Sequence, residues 1–306
     1  MNKINLGTNF CKKKFSSPLI SVSGIVVDLK ENIKLSKIKG VGGITTKSIS
    51  VLPRTGHPLP IICSYNGGFI NAVGLKNPGI EQAAKEISFF KKKVKKPLIA
   101  SIFAGQLSEF PILAAKIAKA KPDFIELNLS CPNVDDEFGK PFATDPLLSA
   151  MAVLEVKKIV KNIPLIAKLT PNTPFLQQVA FEVEKAGADA ISAINTVGPG
   201  LLINFKTRKP ILSNRVGGLS GPAIKPIALR CINEIYRTVK IPIIGMGGVC
   251  NAKDALEMIM AGATLVGIGS AIYGQGYQVF DRIALEMRTI CQKEKIRTIK
   301  QIRGII

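Results

Sequence analysis

Two lysines lie at short apolar runs of the sequence, Lys47 directly after residues 43–46 and Lys168 near the end of residues 165–169. A lysine carried by a buried strand needs an anionic or hydrogen-bonding partner. No acidic residue lies within three positions of either lysine, and the chain has only 21 acidic residues in total. An ion pair with a distant Asp or Glu is the structural alternative. We favour an anionic ligand, such as a carboxylate or a reduced flavin ring, as the partner.

Four asparagines are further candidates for contacts with a ligand. Asn128 lies near the end of an apolar run, Asn133 and Asn195 follow such runs, and Asn71 lies in a long loop. Each side-chain amide offers donors and an acceptor. Together they suit a flat ligand with alternating C=O and N–H groups, such as a pyrimidine, although each one alone could simply form a turn.

A cysteine also stands at the end of one run, in the segment ELNLSCPNV. Cys131 precedes a proline, which favours a loop, and there a thiol could act as a nucleophile or as a general base. The alternative is a small buried hydrophobic residue. His57 is the only histidine, and we expect it in a loop rather than in catalysis. A Cys–His pair or a serine triad is therefore hard to build.

Two glycine-rich turns come late in the chain, in IPIIGMGGVCNAKDA and LVGIGSAIY. Both have the order strand, turn, helix, in which glycine N–H groups and a helix N-terminus can bind a phosphate. We expect Gly247, Gly248, Gly269 and Ser270 to form such a site, with purely structural tight turns as the alternative. The chain has no G-x-x-x-x-G-K-[ST] motif, which excludes a P-loop nucleotide hydrolase.

The elements that must position these residues form a regular alternation. Eight short, nearly continuous apolar runs are typical of strands covered on both faces, and they occupy residues 19–22, 43–46, 98–102, 124–129, 165–169, 190–194, 241–245 and 265–268. Helical spacing of apolar residues separates most of them, at residues 80–96, 111–120, 146–163, 173–186, 223–239, 252–261 and 278–293. This order predicts an α/β fold, a single (β/α)8 TIM barrel over residues 1–306.

The positions of the polar residues favour the barrel over its alternative, a doubly wound open sheet. Polar or glycine residues stand at the carboxyl end of all eight runs, including Ser23 after the first and Ser101 in the third. In a barrel these ends meet at one mouth, where such enzymes have their active sites. The long segments 48–79 and 196–221 are expected to form lids or walls of that mouth.

The composition of the chain excludes or disfavours several classes of protein. The 306 residues are 46% hydrophobic, which excludes a disordered chain, and six widely spaced cysteines suggest a reducing cytoplasm and make a metal or iron–sulfur site built by this chain alone unlikely. The net charge of +21 could serve an acidic partner, but few aromatics accompany the lysines, so nucleic-acid binding is disfavoured. The glycine-rich stretch 258–280 does not suit a membrane span, and MNKINLGTNF lacks the apolar core of a signal peptide.

Several segments together resemble class 1 dihydroorotate dehydrogenases, which are flavoenzymes of pyrimidine synthesis. They are TTKS (45–48), NAVGLKNPG (71–79), ELNLSCPNV (126–134), AKLTPN (167–172), INT (194–196), GGLSGPAIKP (217–226), IPIIGMGGV (241–249) and GIGS (267–270). Two of these, GGLSGPAIKP and IPIIGMGGV, resemble the class 1B branch. In that branch a second subunit with FAD and a [2Fe–2S] cluster passes electrons to NAD.

The resemblance implies a set of ligand contacts. FMN would lie at the mouth of the barrel and contact Ser23, Lys47, Ser48, Ser101, Asn128, Lys168, Ile194, Gly221, Gly247, Gly248, Gly269 and Ser270. Dihydroorotate would contact Lys47, Asn71, Ala72, Val73, Gly74, Leu75, Asn128, Asn133, Asn195 and Thr196. Cys131 would take the C5 proton while a hydride passes from C6 to flavin N5. A homodimer, or a heterotetramer with the electron-transfer subunit, would follow.

Two departures from the family pattern concern the site. Ser101 stands where many relatives carry Asn, and the loop after Cys131 reads VDDEFGKPFATDP where relatives commonly have a glycine-rich stretch and FGTDP. Other classes remain open alternatives: a tRNA-dihydrouridine synthase, a dihydropyrimidine-dehydrogenase-like FMN enzyme, and a basic scaffold without catalysis. The first normally carries a further helical domain, whereas only about 35 residues follow Ser270 here.

Overall fold

The computed structural model describes residues 4–129 and 141–306. The strands are β1 (Thr8–Phe10), β2 (Lys13–Phe15), β3 (Leu19–Ser21), β4 (Ile44–Thr45), β5 (Ile62–Tyr65), β6 (Gly68–Asn71), β7 (Leu98–Ile102), β8 (Phe124–Asn128), β9 (Leu165–Lys168), β10 (Ala190–Ala193), β11 (Val197–Leu201), β12 (Ile203–Asn204), β13 (Lys209–Pro210), β14 (Val216–Ser220), β15 (Ile243–Met246) and β16 (Leu265–Ile268). The helices are α1 (Leu29–Ser36), α2 (Gly79–Lys93), α3 (Glu109–Lys119), α4 (Pro146–Ile159), α5 (Leu176–Lys185), α6 (Lys225–Thr238), α7 (Ala252–Met260), α8 (Ala271–Gln275) and α9 (Val279–Lys293).

The eight apolar runs form a parallel barrel, as the sequence predicts. The strand order is β3-β16-β15-β10-β9-β8-β7-β4, and every neighbouring pair is parallel. A parallel bridge between Ile20 and Gly43 joins the two ends of this order, so the sheet closes on itself. The predicted TIM-barrel fold is confirmed, and the open-sheet alternative is wrong.

An aromatic cluster fills the amino-terminal end of the barrel. The hairpin β1–β2 brings Phe10 and Phe15 into the interior, where both are buried. Their ring centroids lie 5.6 and 5.9 Å from that of Phe124, the first residue of β8. Above them, inward side chains such as Ile166 and Ile244 continue the apolar filling. The barrel is therefore packed below, and open space is left only toward the carboxyl ends of the strands.

The helices that surround the barrel follow the predicted pattern with small shifts of their ends. Helix α4 ends at Ile159 and lacks the last predicted turn, because Pro164 cannot continue a helix. Helix α7 begins with a capping box formed by Asn251 and Asp254. Helix α1, which the sequence analysis did not predict, is only 8 residues long and is capped by Asp28. Among the described residues, no helix is both long enough and apolar enough to cross a bilayer.

The two long segments expected to be lids or walls contribute to an antiparallel sheet beside the mouth. Its order is β11-β14-β6-β5. Strand β14 pairs with β6 so that Gly218 lies opposite Asn71. Residues from distant parts of the chain are thereby joined at one side of the barrel, where they form a wall rather than loose loops.

A carboxylate below β8 joins three segments near the base of the barrel. Asp123 accepts hydrogen bonds from the ammonium groups of Lys13, at 2.6 Å, and Lys91, and from the backbone N–H of Leu98 at 2.9 Å. Burial alone would raise the pKa of Asp123, but the two lysines and the N–H group outweigh it and lower the pKa. The ionised carboxylate therefore stabilises the fold.

Candidate active site

A large cavity opens at the carboxyl ends of the barrel strands. It encloses about 1230 Å³, counting the space open to solvent at its mouth. Most of the expected site residues line it: Ser23, Lys47, Ser48, Asn71, Val73, Gly74, Leu75, Asn128, Lys168, Ile194, Asn195, Thr196, Gly221, Gly247, Gly248, Gly269 and Ser270.

Lys168 lies at the floor of this cavity. Lys168 is only 4% exposed, and its Nζ donates a hydrogen bond to Ser23 Oγ at 2.8 Å. No ion pair within residues 4–129 and 141–306 includes Lys168. A buried ammonium group with a neutral protein partner is well suited to an anionic or electron-rich ligand.

The two glycines after β15 line the same cavity with their backbone. Gly247 and Gly248 have φ values of +125° and +76°, a region that favours glycine. A Cβ atom on Gly248 would lie 2.7 Å from Lys225 Cβ, and one on Gly247 would lie 2.8 Å from Ala228 Cβ. These positions therefore require glycine, and their backbone can approach a phosphate without a side chain between them.

The opposite side of the cavity comes from the antiparallel sheet and the segment before it. Asn71 Nδ2 donates to Gly218 O at 3.4 Å. Asn172 holds the backbone around Thr196: its Nδ2 donates to Thr196 O at 3.1 Å, and its Oδ1 accepts from the N–H of Gly198 at 3.1 Å. The sequence analysis did not single out Asn172 as a site residue, although it belongs to the quoted segment AKLTPN.

Four expected site residues do not appear in the wall of the cavity as described. Ala72 and Ser101 lie behind it, and both are fully buried. The hydroxyl of Ser101 contacts Ser48 and Glu126 instead. Cys131 and Asn133 lie outside the described residues.

Two aromatic residues at the mouth were not among the expected site residues. Phe69, on β6, and Tyr273, on α8, both line the cavity, and their ring centroids are 5.7 Å apart. This contact joins the antiparallel sheet to the barrel. The contact could not be predicted from the sequence because the two residues are about 200 positions apart, although Tyr273 ends the segment LVGIGSAIY.

The described cysteines do not contribute to the cavity. Cys11, Cys63, Cys231, Cys250 and Cys291 are unpaired, and none of the five lines it. Burial, assisted by the charge of Asp189, raises the pKa of Cys11 to about 12, and burial raises that of Cys231 to about 11. These thiols are therefore poor nucleophiles or bases near neutral pH. No group of three or more metal-ligating side chains occurs in the described part of the chain.

Comparison with known proteins identifies the family. Residues 5–291 match the family model described as dihydroorotate dehydrogenase. The chain belongs to the dihydroorotate dehydrogenase family. A protein of Pyrococcus abyssi named dihydroorotate dehydrogenase B (NAD(+)), catalytic subunit, is 42% identical over 303 residues, which cover 98% of each chain. Proteins with the same name in Methanothermobacter thermautotrophicus and Methanocaldococcus jannaschii are each 39% identical, over 98% and 100% of this chain and 98% and 99% of theirs.

Solved structures agree with this dehydrogenase fold. A ligand-free DHODH from Eimeria tenella superposes with a TM-score of 0.86 at 18% identity, covering 98% of this chain and 91% of that one. The same protein in complex with ferulenol gives a TM-score of 0.84 at 18% identity, over 98% and 88% of the two chains. At this identity the likeness concerns the fold alone.

The cavity of this dehydrogenase also fits the FMN expected of the family. FMN combines a phosphate with a flat ring that becomes anionic on reduction. The cavity offers glycine backbone and the helix α8 segment for the former, and the buried ammonium of Lys168 for the latter. The residue types present are therefore suited to the cofactor.

Proposed function

We propose that this chain is the FMN-containing catalytic subunit of a class 1B dihydroorotate dehydrogenase, oxidising (S)-dihydroorotate to orotate for pyrimidine synthesis in the cytoplasm. The observation that carries the proposal is the joining of three chemistries in one cavity. These are backbone glycines suited to a phosphate, a buried lysine, and amide side chains at the far wall. The catalytic domain comprises residues 1–306.

The cofactor contacts follow from positions around the cavity. Gly247, Gly248, Gly269 and Ser270 would bind the FMN phosphate, and Lys168 would hold the electron-rich part of the ring, with Ser23 keeping its ammonium in place. The remaining cofactor residues are Lys47, Ser48, Asn128, Ile194 and Gly221. When bound, FMN supplies the acceptor for the hydride that leaves C6 of the substrate.

The substrate contacts would come from the ends of barrel strands and from the antiparallel sheet. Lys47, a cation at the cavity wall, would bind the substrate carboxylate, and Asn71, Asn128 and Asn195 would bind the amide groups of the ring. The segment 71–75 and Thr196 complete these contacts, together with Asn133. A dihydropyrimidine without a carboxylate would lose the interaction with Lys47, which favours dihydroorotate over dihydrouracil.

Cys131 is proposed as the base that takes the C5 proton. It follows β8 by three residues, and β8 ends at Asn128, which lines the cavity. The described cysteines lie elsewhere, so this thiol is the candidate the family motif provides. A positioned general base accelerates a reaction by roughly 10²–10⁴-fold.

Electrons must then leave the flavin. We propose that a partner subunit with FAD and a [2Fe–2S] cluster receives them and passes them to NAD⁺, because the relatives are named as NAD(+) catalytic subunits. The assembly would be a heterotetramer built on a homodimer of this chain. Fumarate as a direct acceptor is the alternative, and the experiment below includes it.

The decisive experiment mixes the purified, flavin-loaded chain with dihydroorotate without oxygen and follows the flavin absorbance. Bleaching with dihydroorotate but not with dihydrouracil is expected. Fumarate and NAD⁺ are then added separately. Recovery of the oxidised spectrum with NAD⁺ only after addition of the electron-transfer subunit would support class 1B. A chain that binds FMN but is not bleached would overturn the proposal.

A further inference from the structure

A chain of polar side chains runs through the barrel interior beneath the cavity. Glu126, on β8, is 2% exposed. Its Oε1 accepts a hydrogen bond from Ser101 Oγ at 2.8 Å, and its Oε2 accepts one from Ser192 Oγ at 2.8 Å. Ser101 Oγ in turn lies 2.9 Å from Ser48 Oγ, and Asn128 Nδ2 donates to Ser48 Oγ at 3.2 Å. The chain therefore connects a buried carboxylate to an amide at the cavity wall.

The Glu126 carboxylate fixes the donor and the acceptor in each hydrogen bond between Glu126 and Asn128. A carboxylate only accepts, and a serine hydroxyl has a single hydrogen to donate. Ser101 gives its hydrogen to Glu126, so the hydrogen bond between the two serines must be donated by Ser48. Ser48 can then only accept from its other neighbour, and the group of Asn128 that faces it must be the NH₂.

The direction matters because an asparagine amide has two different ends. If Asn128 were rotated by half a turn, its Oδ1 would face Ser48, and the donor and acceptor offered to a ligand would be exchanged. A pyrimidine substrate has fixed N–H and C=O positions, so only one amide orientation matches it. The Glu126 carboxylate, as the acceptor at the far end of this series of hydrogen bonds, can therefore decide the orientation of the Asn128 amide.

We propose that Glu126 is a positioning residue, which acts through Ser101 and Ser48 to hold the Asn128 amide in the orientation that matches the substrate ring. The inference rests on the proposed function, since it takes dihydroorotate and orotate as the ligands. Glu126 touches neither of them. Its role is to remove the freedom of the amide before the ligand arrives, which is preorganisation.

A double-mutant cycle on orotate binding tests the proposal. Orotate is titrated into the oxidised, flavin-loaded enzyme, and the dissociation constant is taken from the change in flavin absorbance. Ser101→Ala is expected to weaken orotate binding about three- to tenfold, the worth of one neutral hydrogen bond. In the Asn128→Ala background the same substitution is expected to change the affinity by less than about twofold, because the residue it acts through is gone. The FMN content should stay at the wild-type value in Ser101→Ala.

The matched control is Ser149→Ala. Ser149 is also fully buried and also donates one hydrogen bond, to Phe142 O at 2.7 Å, but it does not line the cavity or belong to the chain. The Ser149→Ala substitution should lower the melting temperature of the enzyme without changing its affinity for orotate. If Ser101→Ala fails to fold, Ser101→Cys keeps the volume, weakens the hydrogen bonds and takes its place in the cycle.

The outcomes separate this inference from the proposed function. Equal loss of orotate affinity in both backgrounds, or no loss in either, overturns the positioning role of Glu126, even if dihydroorotate bleaches the wild-type flavin. Coupling between Ser101 and Asn128 in a wild type that binds orotate but is not bleached supports the positioning role and refutes the dehydrogenase activity.

Discussion

Replacing Lys168 with methionine tests the cofactor side of the cavity most directly. Methionine keeps the length of the side chain and removes the charge, and the buried position leaves little room for water to substitute for the ammonium group. A hydrogen bond to a charged group contributes about 1.5–3 kcal/mol, which corresponds to a rise in the FMN dissociation constant of about 10- to 150-fold. Ser23 would lose its hydrogen-bond donor in the same change.

The assay is a titration of FMN into the apoprotein, followed by quenching of flavin fluorescence. Lys157→Met is the matched control. This substitution also removes a charged contact, the ion pair of Lys157 with Asp189 at 2.6 Å, but Lys157 does not line the cavity. It should bind FMN as the wild type does. An unchanged FMN affinity in Lys168→Met, with a normal far-ultraviolet spectrum, would refute the assignment of Lys168 to the flavin.

Four further outcomes follow from the site and the fold. Cys131→Ala should slow anaerobic flavin reduction by dihydroorotate by about 10²–10⁴-fold while FMN stays bound, and wild-type speed in stopped-flow measurements would remove Cys131 from the mechanism. Gly248→Ala, at φ +76°, should reduce FMN affinity by about 5- to 30-fold through backbone strain of roughly 1–2 kcal/mol; an unaltered flavin titration would contradict the glycine requirement. Asp123→Asn should destabilise the fold by about 1–3 kcal/mol at neutral pH. Because the folded-state pKa of Asp123 is lowered, its contribution is present above about pH 4 and disappears as the pH falls through the folded-state pKa; the melting temperatures of wild type and variant should converge in acid, and a constant gap would argue against the ion pairs. Cys231, with its pKa raised to about 11, should resist alkylation at pH 8 in the folded protein and react after unfolding, as mass spectrometry can determine.

The barrel could be predicted from sequence because its strands are buried on both faces. Most of the eight runs, such as residues 265–268, are apolar at nearly every position, and that pattern needs no knowledge of the partner strand. The polar residues that end the strands could be placed at the mouth for the same reason. Closing the barrel fixes where their ends meet, so Lys168 and Asn128 came together as expected.

The antiparallel sheet could not be predicted because its pattern depends on its partners. Strand β14, VGGLS, and strand β11, VGPGL, are rich in glycine and only partly buried, and glycine in isolation indicates a turn. The pairing that makes them strands joins residues as far apart as Asn71 and Gly218, separated by 147 positions. Only the assembled barrel brings such segments together.

Ser101 shows a different limit of reasoning from motifs. The family resemblance implies a direct contact between Ser101 and the cofactor. In the structure Ser101 is fully buried, its hydroxyl donates a hydrogen bond to Glu126, and it does not line the cavity. The type of residue and its place in the order of strands were therefore informative. The depth of the side chain in the barrel was not, since it depends on the register between β7 and β8.

Gly218 explains how the two halves of the cavity are joined. A Cβ atom there would lie 2.1 Å from Thr196 Oγ1, and the residue pairs with Asn71 across β14 and β6. Two substrate-side residues from different segments thus pack against one glycine that admits no side chain. In the proposed function, the ends of the barrel strands would supply the phosphate and ring contacts, whereas the positions of Asn71 and Thr196 depend on this close approach. Because Lys47 and Asn128 are proposed to contact both ligands, we expect the contacts of Asn71 and Thr196 to be the ones that can be altered at the sheet without altering a proposed cofactor contact.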